Sequence, residues 1–478
     1  MKDISEIESL SGAPKWYEAD LPLWYAYFAI ALGITIFLIY KSKPKHPFEI
    51  GALLFYLMTG NASRILTVDL GVIDIQPPRA LFLIMSFFLF RQLFWVKEKV
   101  FPQSFWRMPW FMVILYCYVI FLIVSQMTHM DQIKPMKIVT NTIENFNFIV
   151  IIYALIILID KKTLALIAKA MVITGVFSCI ISFLQIGYHP LFMRLGDHRI
   201  AFGSLLRANG LFSAENYNSY FLIVTMIWVL ITVHKPILKW GLIGLFICGV
   251  LITFHRMSYL IMSIIFAIYF LKLDPIRLDR LIALSLGGAT CLLALFVFFQ
   301  AEIMGSSFVQ ERMTDHVDGR KGYYTMVFDN IGDKPVFGFG GKKNDVYYQA
   351  MIRITGEMNR ATGTTGGIHS GYFSTLFYFG IPACFFFSAF VLLTIGYFGY
   401  MTRYHLFFAI PLIMAIIYCI GSFTNTFLFD RYLAILFAIH IGVGMGARHM
   451  KEFVAHPIND KNPAVSERQS APRLEYEY

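Results

Sequence analysis

The chain has 478 residues, 57% of them hydrophobic and 17% aromatic, with 15% charged and a formal net charge of +10. Soluble domains carry about 25% charged residues. This composition, with a mean hydropathy of +0.62, excludes an ordinary soluble protein and defines an integral membrane protein. The positive balance reads as lysine and arginine in cytoplasmic loops, with no nucleic-acid partner.

In chain order, a polar N-terminal segment (1–22) has no cleavable-signal pattern. Apolar runs long enough to span a bilayer begin near Leu23, Phe48, Leu81, Trp110, Phe146, Leu164, Asn218, Trp240, Met257 and Leu281, and again near Ile368, Leu406 and Tyr432. The expected architecture is all-α and polytopic, with about 13 transmembrane helices (12–14). Ten fall in residues 23–301 and three in 368–448, separated by a loop at 302–367 and followed by a disordered tail at 449–478. All six cysteines (Cys117, Cys179, Cys248, Cys291, Cys384, Cys419) lie inside apolar runs, which argues against a disulfide framework.

The loops form two sets. KSKPKH, VKEKVFPQSFWR, DKKT, HKPILKW, LKLDPIRLDR and YMTRYH are short and basic and belong in the cytoplasm. The alternate set comprises residues 61–79, 128–141, 187–216 and 302–367. Alternation places it outside, with an external N-terminus and a cytoplasmic C-terminus. The 302–367 loop is too long for a bare connection. DGRKGYYTMVFDNI has helical spacing, GDKPVFGFGG stops it, and NDVYYQAMIRITGEMNR reads as a second helix before the Gly/Thr-rich ATGTTGG.

This topology gathers Arg194, Arg199, Arg207, Arg256, Arg312, Arg320 and His369 at the external face. External arginine runs against the positive-inside tendency, and its planar fork suits phosphate oxygens. Each residue also has a plain structural reading. Arg256 at a helix end snorkels to headgroups, Arg320 is a solvated loop charge, His369 is an interfacial histidine, and Asn216 is a helix cap. Walker, Rossmann, HExxH and CxxC patterns do not occur, nor does the Asp-x-Asp that holds a metal on a sugar diphosphate. A diphosphate here would need fixed cations.

Four segments resemble the bacterial O-antigen ligase and O-antigen polymerase superfamily. His369-Ser370, nine further residues and Gly380-Ile381-Pro382-Ala383 are similar to its His motif, with Ala383 where the family has a second glycine. GRKGYYTMVFDNIGDKPVFGFG resembles its Gly-Arg segment, here Arg320, Tyr324, Pro335, Phe337, Gly338 and Gly340. TFHRMSYL matches its Ser-Arg helix start, with His255 in the serine's place and Arg256 following. RANGLFSAENYN supplies Arg207, Gly210 and Asn216.

The resemblance implies a GT-C-like helical membrane glycosyltransferase with one large helical periplasmic loop, acting on the periplasmic or outer face of the bacterial inner membrane. Glycan would pass from undecaprenyl diphosphate to an acceptor hydroxyl, on a growing glycan or a lipid A core, with no metal or cofactor. Membrane lipid and a chain-length regulator or flippase are the further partners it implies. Arg256 and Arg320 would grip the diphosphate, with Arg207 as a third partner. Asn216, Tyr324, His255 and Ser370 would line the substrate site. His369 would be the base for the acceptor hydroxyl or, protonated, a third cation, with His255, Glu311, Asp315 and Asp318 as other bases. Phe373, Leu376, Phe377 and Gly380 share a face with His369 and read as packing residues before lipid contacts. A competing class, a transporter or flippase for an anionic lipid, predicts charged residues at mid-membrane beside Gly/Pro-broken helices.

Overall fold

The computed structural model describes residues 20–62, 65–69, 74–95, 109–129, 135–195, 200–202, 205–270, 324–325, 327–340, 370–424 and 431–454. The run beginning near Leu281 and the helix expected at 344–360 lie outside them. In chain order the main helices are α1 (Leu21–Ser42), α2 (Pro47–Thr59), α3 (Pro77–Phe94), α4 (Trp110–Met127), α5 (Pro135–Leu158), α6 (Lys161–Gly187), α7 (Glu215–Thr232), α8 (Pro236–Leu251), α9 (Arg256–Phe270), α10 (Gly371–Met401), α11 (Ala409–Thr424) and α12 (Arg431–Ala447). Residues 324–325 and 327–331 add helical backbone. There are also two small antiparallel ladders, β1 (Val68–Asp69) with β2 (Asp74–Ile75) and β3 (Ile200–Phe202) with β4 (Leu205–Leu206), and short helical turns at Gly60–Ala62, Leu406–Phe408 and Lys451–Val454.

Among the described residues five segments are long and apolar enough to cross a membrane: Leu21–Ser42, Trp110–Met127, Lys161–Gly187, Gly371–Met401 and Leu406–Phe423. Others are apolar but shorter, including Pro47–Thr59 and Pro236–Leu251. Local chemistry sets these limits. Proline stands in the first turn of α1, α2, α3 and α8, where its missing N–H costs nothing. Asp160 caps α6, its Oδ1 accepting from the Thr163 N–H at 2.7 Å.

Aromatic contacts join the helices. Phe111 of α4 lies 5.1 Å from Tyr397 and 6.0 Å from Phe398 of α10. Tyr418 of α11 stacks on Phe437 of α12 at 4.2 Å. Gly442 of α12 lets that helix approach Leu155 and Ile152 of α5 closely. Leu23, Ile30, Ile36 and Phe37 of α1 and Leu83, Phe87 and Phe94 of α3 are exposed, as befits surfaces meeting hydrocarbon.

Several polar groups inside this bundle are matched. Trp228 Nε1 donates to His440 Nε2 at 3.1 Å, and His440 Nδ1 donates to the Leu436 carbonyl at 2.7 Å. Arg91 reaches the buried Glu49 at 2.9 Å. The described cysteines, Cys117, Cys179, Cys248, Cys384 and Cys419, are free thiols; Cys291 lies outside the described residues.

Between α10 and the 3-10 turn Leu406–Phe408, His405 accepts from the Phe407 N–H at 3.0 Å and packs edge-on to Phe453. Burial pushes its imidazole pKa down to about 4. An unfolded histidine takes up its proton near 6.5, so between about 6.5 and 4 the unfolded chain binds more protons. His405's contribution to stability is therefore intact above that window and lost as the pH falls through it. His405→Asn keeps a cap acceptor and is expected to flatten the fall in thermal unfolding temperature between pH 7 and 4, measured on protein in detergent. An unchanged slope would count against this role.

Candidate functional site

The chain between α6 and α7 is tied down by polar side chains of α6. Gln185 Oε1 accepts from the Asn209 and Gly210 N–H groups, each at 2.9 Å, while its Nε2 donates to the Phe192 and Gly210 carbonyls at 3.1 and 3.2 Å. Ser178 donates to Asn218 Oδ1 at 2.8 Å and accepts from the Leu211 N–H at 3.1 Å. The segment carrying Arg194 and Arg207 is thus fastened to α6 and α7 before any ligand arrives.

Arg207 pairs with Glu215 at 2.8 Å, and the Glu215 side chain is almost fully buried. Arg194, 3% exposed, donates from Nε to the Pro190 carbonyl at 2.9 Å and from Nη2 to the Arg207 carbonyl at 2.5 Å. Burial pulls its pKa down to about 10, and the charge of Glu215 opposes the drop, so it stays protonated at neutral pH. Arg194 Nη1 and Arg207 Nε have no hydrogen-bond partner among the described residues. The charge of Glu215 thus acts on both guanidiniums, but the ion pair is with Arg207. Arg207 is a partly neutralised cation, through an acid that its place in a helix's first turn gave no reason to single out.

A second set of bonds brings the 207–219 and 252–258 segments together. The Ala208 N–H donates to the Ile252 carbonyl at 3.1 Å. His255 Nδ1 lies 2.7 Å from Ser258 Oγ, which lies 2.6 Å from Ser219 Oγ, which donates to the Asn216 carbonyl at 2.9 Å. Asn216 Oδ1 accepts from the Tyr217 N–H at 3.0 Å, while the N-cap of α7 is Ala214. Tyr220 meets the His255 ring edge-on at 5.3 Å. Arg256, the first residue of α9, is exposed and makes no ion pair among the described residues.

The third part is the start of α10. The apolar run read from Ile368 is not one continuous helix, because the chain breaks at Gly380 (φ 86°, ψ −179°) ahead of Pro382. Residues twelve apart in an unbroken helix are about 18 Å apart. Here Cys384 Sγ donates to the Tyr372 carbonyl at 3.7 Å, and Tyr372 packs on Phe387 at 5.2 Å. The first piece therefore folds back beside the second.

The Pro335–Gly340 turn fills the break. The Phe339 and Gly340 N–H groups donate to the Phe377 and Tyr378 carbonyls at 2.9 and 2.8 Å, and the Ile381 N–H donates to the Pro335 carbonyl at 2.8 Å. Gly338 (φ 62°) sits so close that a Cβ there would come 2.6 Å from the Gly380 nitrogen. Ala383 is fully buried, so a small residue serves the packing where the family has glycine.

Ser370 caps the first piece, accepting from the Phe373 N–H at 3.4 Å, and donates to the Ser422 carbonyl of α11 at 3.2 Å. Helix α11 also packs on α7 and α9. Tyr324 lies on Phe373 at 4.4 Å, and Phe377 stacks on Phe339 at 4.7 Å, so both phenylalanines pack within the protein. Arg320 and His369, with Glu311, Asp315 and Asp318, lie outside the described residues. Each of the first two stands four positions before a member of the Tyr324–Phe373 contact.

Of the residues singled out from sequence, Arg207, Asn216, His255 and Arg256 belong to one connected group, while Tyr324 and Ser370 each contact Phe373 in the first turn of α10. Ser219, Ser258, Glu215 and Arg194 complete the arrangement. The partners Ser219 and Ser258 lie 39 positions apart, beyond any local pattern. Among the described residues no group of three or more His, Cys, Asp or Glu could hold a metal ion.

A helical membrane protein with cationic and polar side chains gathered where several helix ends meet is the class these features define. Residues 240–388 match the family model for O-antigen ligase, the superfamily that the motifs of this region resemble. The match covers less than half of the chain, and includes His255, Arg256, Tyr324 and Ser370 but not Arg207 or Asn216. No curated protein matches the chain.

The break in α10 yields a stability prediction. Gly380→Ala puts a side chain into a conformation open essentially to glycine and against the Val336 and Pro335 carbonyls. It is expected to cost about 1–3 kcal/mol, read as a lowered unfolding temperature in detergent. An unchanged temperature would show that the break is not held as described.

Proposed function

We propose that this protein is a glycosyltransferase of surface polysaccharide assembly, moving glycan from an undecaprenyl-diphosphate carrier to an acceptor hydroxyl, with polymerisation of repeat units as the leading reaction. The observation that carries this reading is the union of the 207–219 and 252–258 segments by direct hydrogen bonds, next to an arginine that is exposed and makes no ion pair among the described residues. The family match supports the same class. Ligation of finished polymer to a lipid A core or another acceptor is the second reading, favoured by the family's description as O-antigen ligase.

In this proposal about 13 helices cross the bacterial inner membrane, and residues 302–367 form a helical loop on its periplasmic or outer face. The anomeric C–O bond breaks toward a diphosphate, so the main requirement is to stabilise charge that develops on phosphate oxygens. Arg256 and Arg320 supply forked donors to those oxygens. Arg207, tethered to Glu215, adds a weaker positive field. His369 brings an imidazole to the same vestibule: charged, it is a third cation, and neutral, it is a base. Fixed arginines take the place of a metal. A chain-length regulator or flippase would work beside it.

The transporter alternative is less well supported. Helix α10 is broken by glycine and proline, as that class requires. Yet the Phe377 and Tyr378 carbonyls and the Ile381 N–H at the break are bonded to the Pro335–Gly340 turn, leaving those groups unavailable to coordinate a cargo.

Arg256→Ala and Arg320→Ala are each expected to abolish glycan assembly in the native host while membrane levels of the protein stay normal. Full activity in either would refute the clamp. Gel analysis of surface glycan in a deletion strain separates the two reactions: a ladder collapsed to one repeat means polymerase, and free polymer with bare core means ligase. Purified protein should still turn over its lipid-linked donor in EDTA. Activity lost to EDTA and restored by Mg²⁺ would contradict a metal-free clamp.

A further inference from the structure

The end of α4 and the Pro335–Gly340 turn bound an open cavity of about 280 Å³, lined by Thr128 and His129 on one side and residues 334–338 on the other. That is many times the roughly 30 Å³ share of one water. Its walls are fixed. Ser125 donates to the Phe337 carbonyl at 2.7 Å, and Phe121 stacks on Phe337 at 5.6 Å. His129 Nδ1 lies 2.8 Å from the Ser125 carbonyl, which can only accept, so Nδ1 donates and the ring is held. The Thr128 hydroxyl donates to the same carbonyl at 2.8 Å. Gly340 (φ 79°) lets the turn lie against the His129 ring, where a Cβ would collide.

Lys334 brings the one fixed positive charge among the described lining residues. It is exposed, makes no ion pair among the described residues, and holds its ammonium 5.6 Å from the centre of the Phe339 ring. Asp329 and Asp333 are exposed on the same segment but line no part of the cavity. Apolar surface runs away from this mouth on two helices. On α4, Ile120, Val124 and Met127 share one exposed face that leads up to Thr128. On the other side Val336 is exposed, as are Ile381, whose N–H donates to the Pro335 carbonyl, and Phe385 one turn further along α10. Between the two faces Phe121 meets Phe386 at 6.1 Å.

We propose that this cavity seats the headgroup of an anionic bilayer phospholipid, with Lys334 Nζ on its phosphate oxygens and its two acyl chains along the exposed faces of α4 and α10. One ammonium matches the single charge of a phosphodiester, whereas a polyprenyl diphosphate would bring more negative charge than the mouth can answer. Inorganic phosphate or a soluble sugar acid would leave both apolar faces unused. The lipid braces the turn that holds the break in α10, and because it binds only the folded protein it stabilises it. The inference stands apart from the transferase reading.

The test uses full-length protein in detergent, with dioleoyl phosphatidylglycerol as the probe and native mass spectrometry as the readout. Wild type is expected to hold phosphatidylglycerol more tightly than phosphatidylcholine. Lys334→Gln, an exchange at an exposed position, is expected to lose about fivefold in phosphatidylglycerol affinity and nothing for phosphatidylcholine. Added phosphatidylglycerol should raise the unfolding temperature of wild type more than that of Lys334→Gln. A phosphatidylglycerol with a photoreactive acyl chain is expected to mark peptides containing residues 120–127 and 381–385. Equal affinities of wild type and Lys334→Gln, or cross-links that avoid both faces, overturn the proposal. Displacement of the lipid by glycerol phosphate at matching concentration overturns it too, since the chains would then contribute nothing. So does tighter binding of undecaprenyl diphosphate that is lost in Lys334→Gln, which would make the occupant the glycan carrier. None of these readouts uses turnover, so their failure leaves the transferase reading standing, and failure of that reading leaves them standing.

Discussion

Three backbone hydrogen bonds between the Pro335–Gly340 turn and the break in α10 are the constraint on which the rest depends. Inside an apolar bundle an unpaired N–H or C=O costs several kcal/mol, so a helix can break only where other groups replace its own bonds. The Phe339 and Gly340 N–H groups and the Pro335 carbonyl do so. Ser125 Oγ pins the turn to α4 through the Phe337 carbonyl at 2.7 Å, and Phe121 stacks on Phe337 at 5.6 Å. With the break held, the first piece of α10 folds back and brings Ser370 to Ser422 and Tyr324 to Phe373. Without it, α10 would run on as one rod and carry its N-terminal end away from α11.

Charge is distributed by the same economy. The pair Arg91–Glu49 puts a buried carboxylate against a guanidinium, and breaking such a pair is strongly destabilising because one ion stays behind. Arg207–Glu215 resembles it, except that Arg194 stands close by, bonded to the Arg207 carbonyl. Arg256 differs in kind: it is exposed and makes no ion pair among the described residues. An arginine already committed to a carboxylate shapes the field, whereas an uncommitted one can bind.

Much of the helical layout was legible in the chain because apolar runs and prolines act locally. Pro47, Pro77 and Pro236 mark helix starts, and Gly332 and Pro335 end the helical stretch after Tyr324. The fold-back of α10 was not legible. Gly380-Ile381-Pro382 lies within a continuous apolar run, and hydropathy reports burial without reporting direction. The glycines of the Pro335–Gly340 segment were visible as a turn, but their partner is some forty residues away and bonds through backbone, which leaves no trace in side-chain identity. The candidate site divides likewise: Arg207, Asn216, His255 and Arg256 stood out by residue type and order. Glu215 reads as an ordinary first-turn acid, and Ser219 and Ser258 as ordinary small residues of helix faces, until the fold sets them against each other.

The two histidines His440 and His255 show why residue type alone does not assign chemistry. Both stand in helices or at helix starts among aromatic rings, and both use Nδ1 as a donor. His440 donates to a carbonyl of its own helix and accepts from an indole, so both its ring nitrogens are bonded. His255 donates into a chain of hydroxyls that ends on a carbonyl one helix away. A carbonyl at the far end makes the direction of the whole chain obligatory, since it cannot return a proton. Orientation of the ring and choice of tautomer therefore follow from one fixed acceptor on α7, and the segment that supplies this acceptor also carries Arg207. The hydroxyl chain of His255 and the Arg207–Glu215 pair are thus built on the same two helix starts, and a shift of one relative to the other would disturb both.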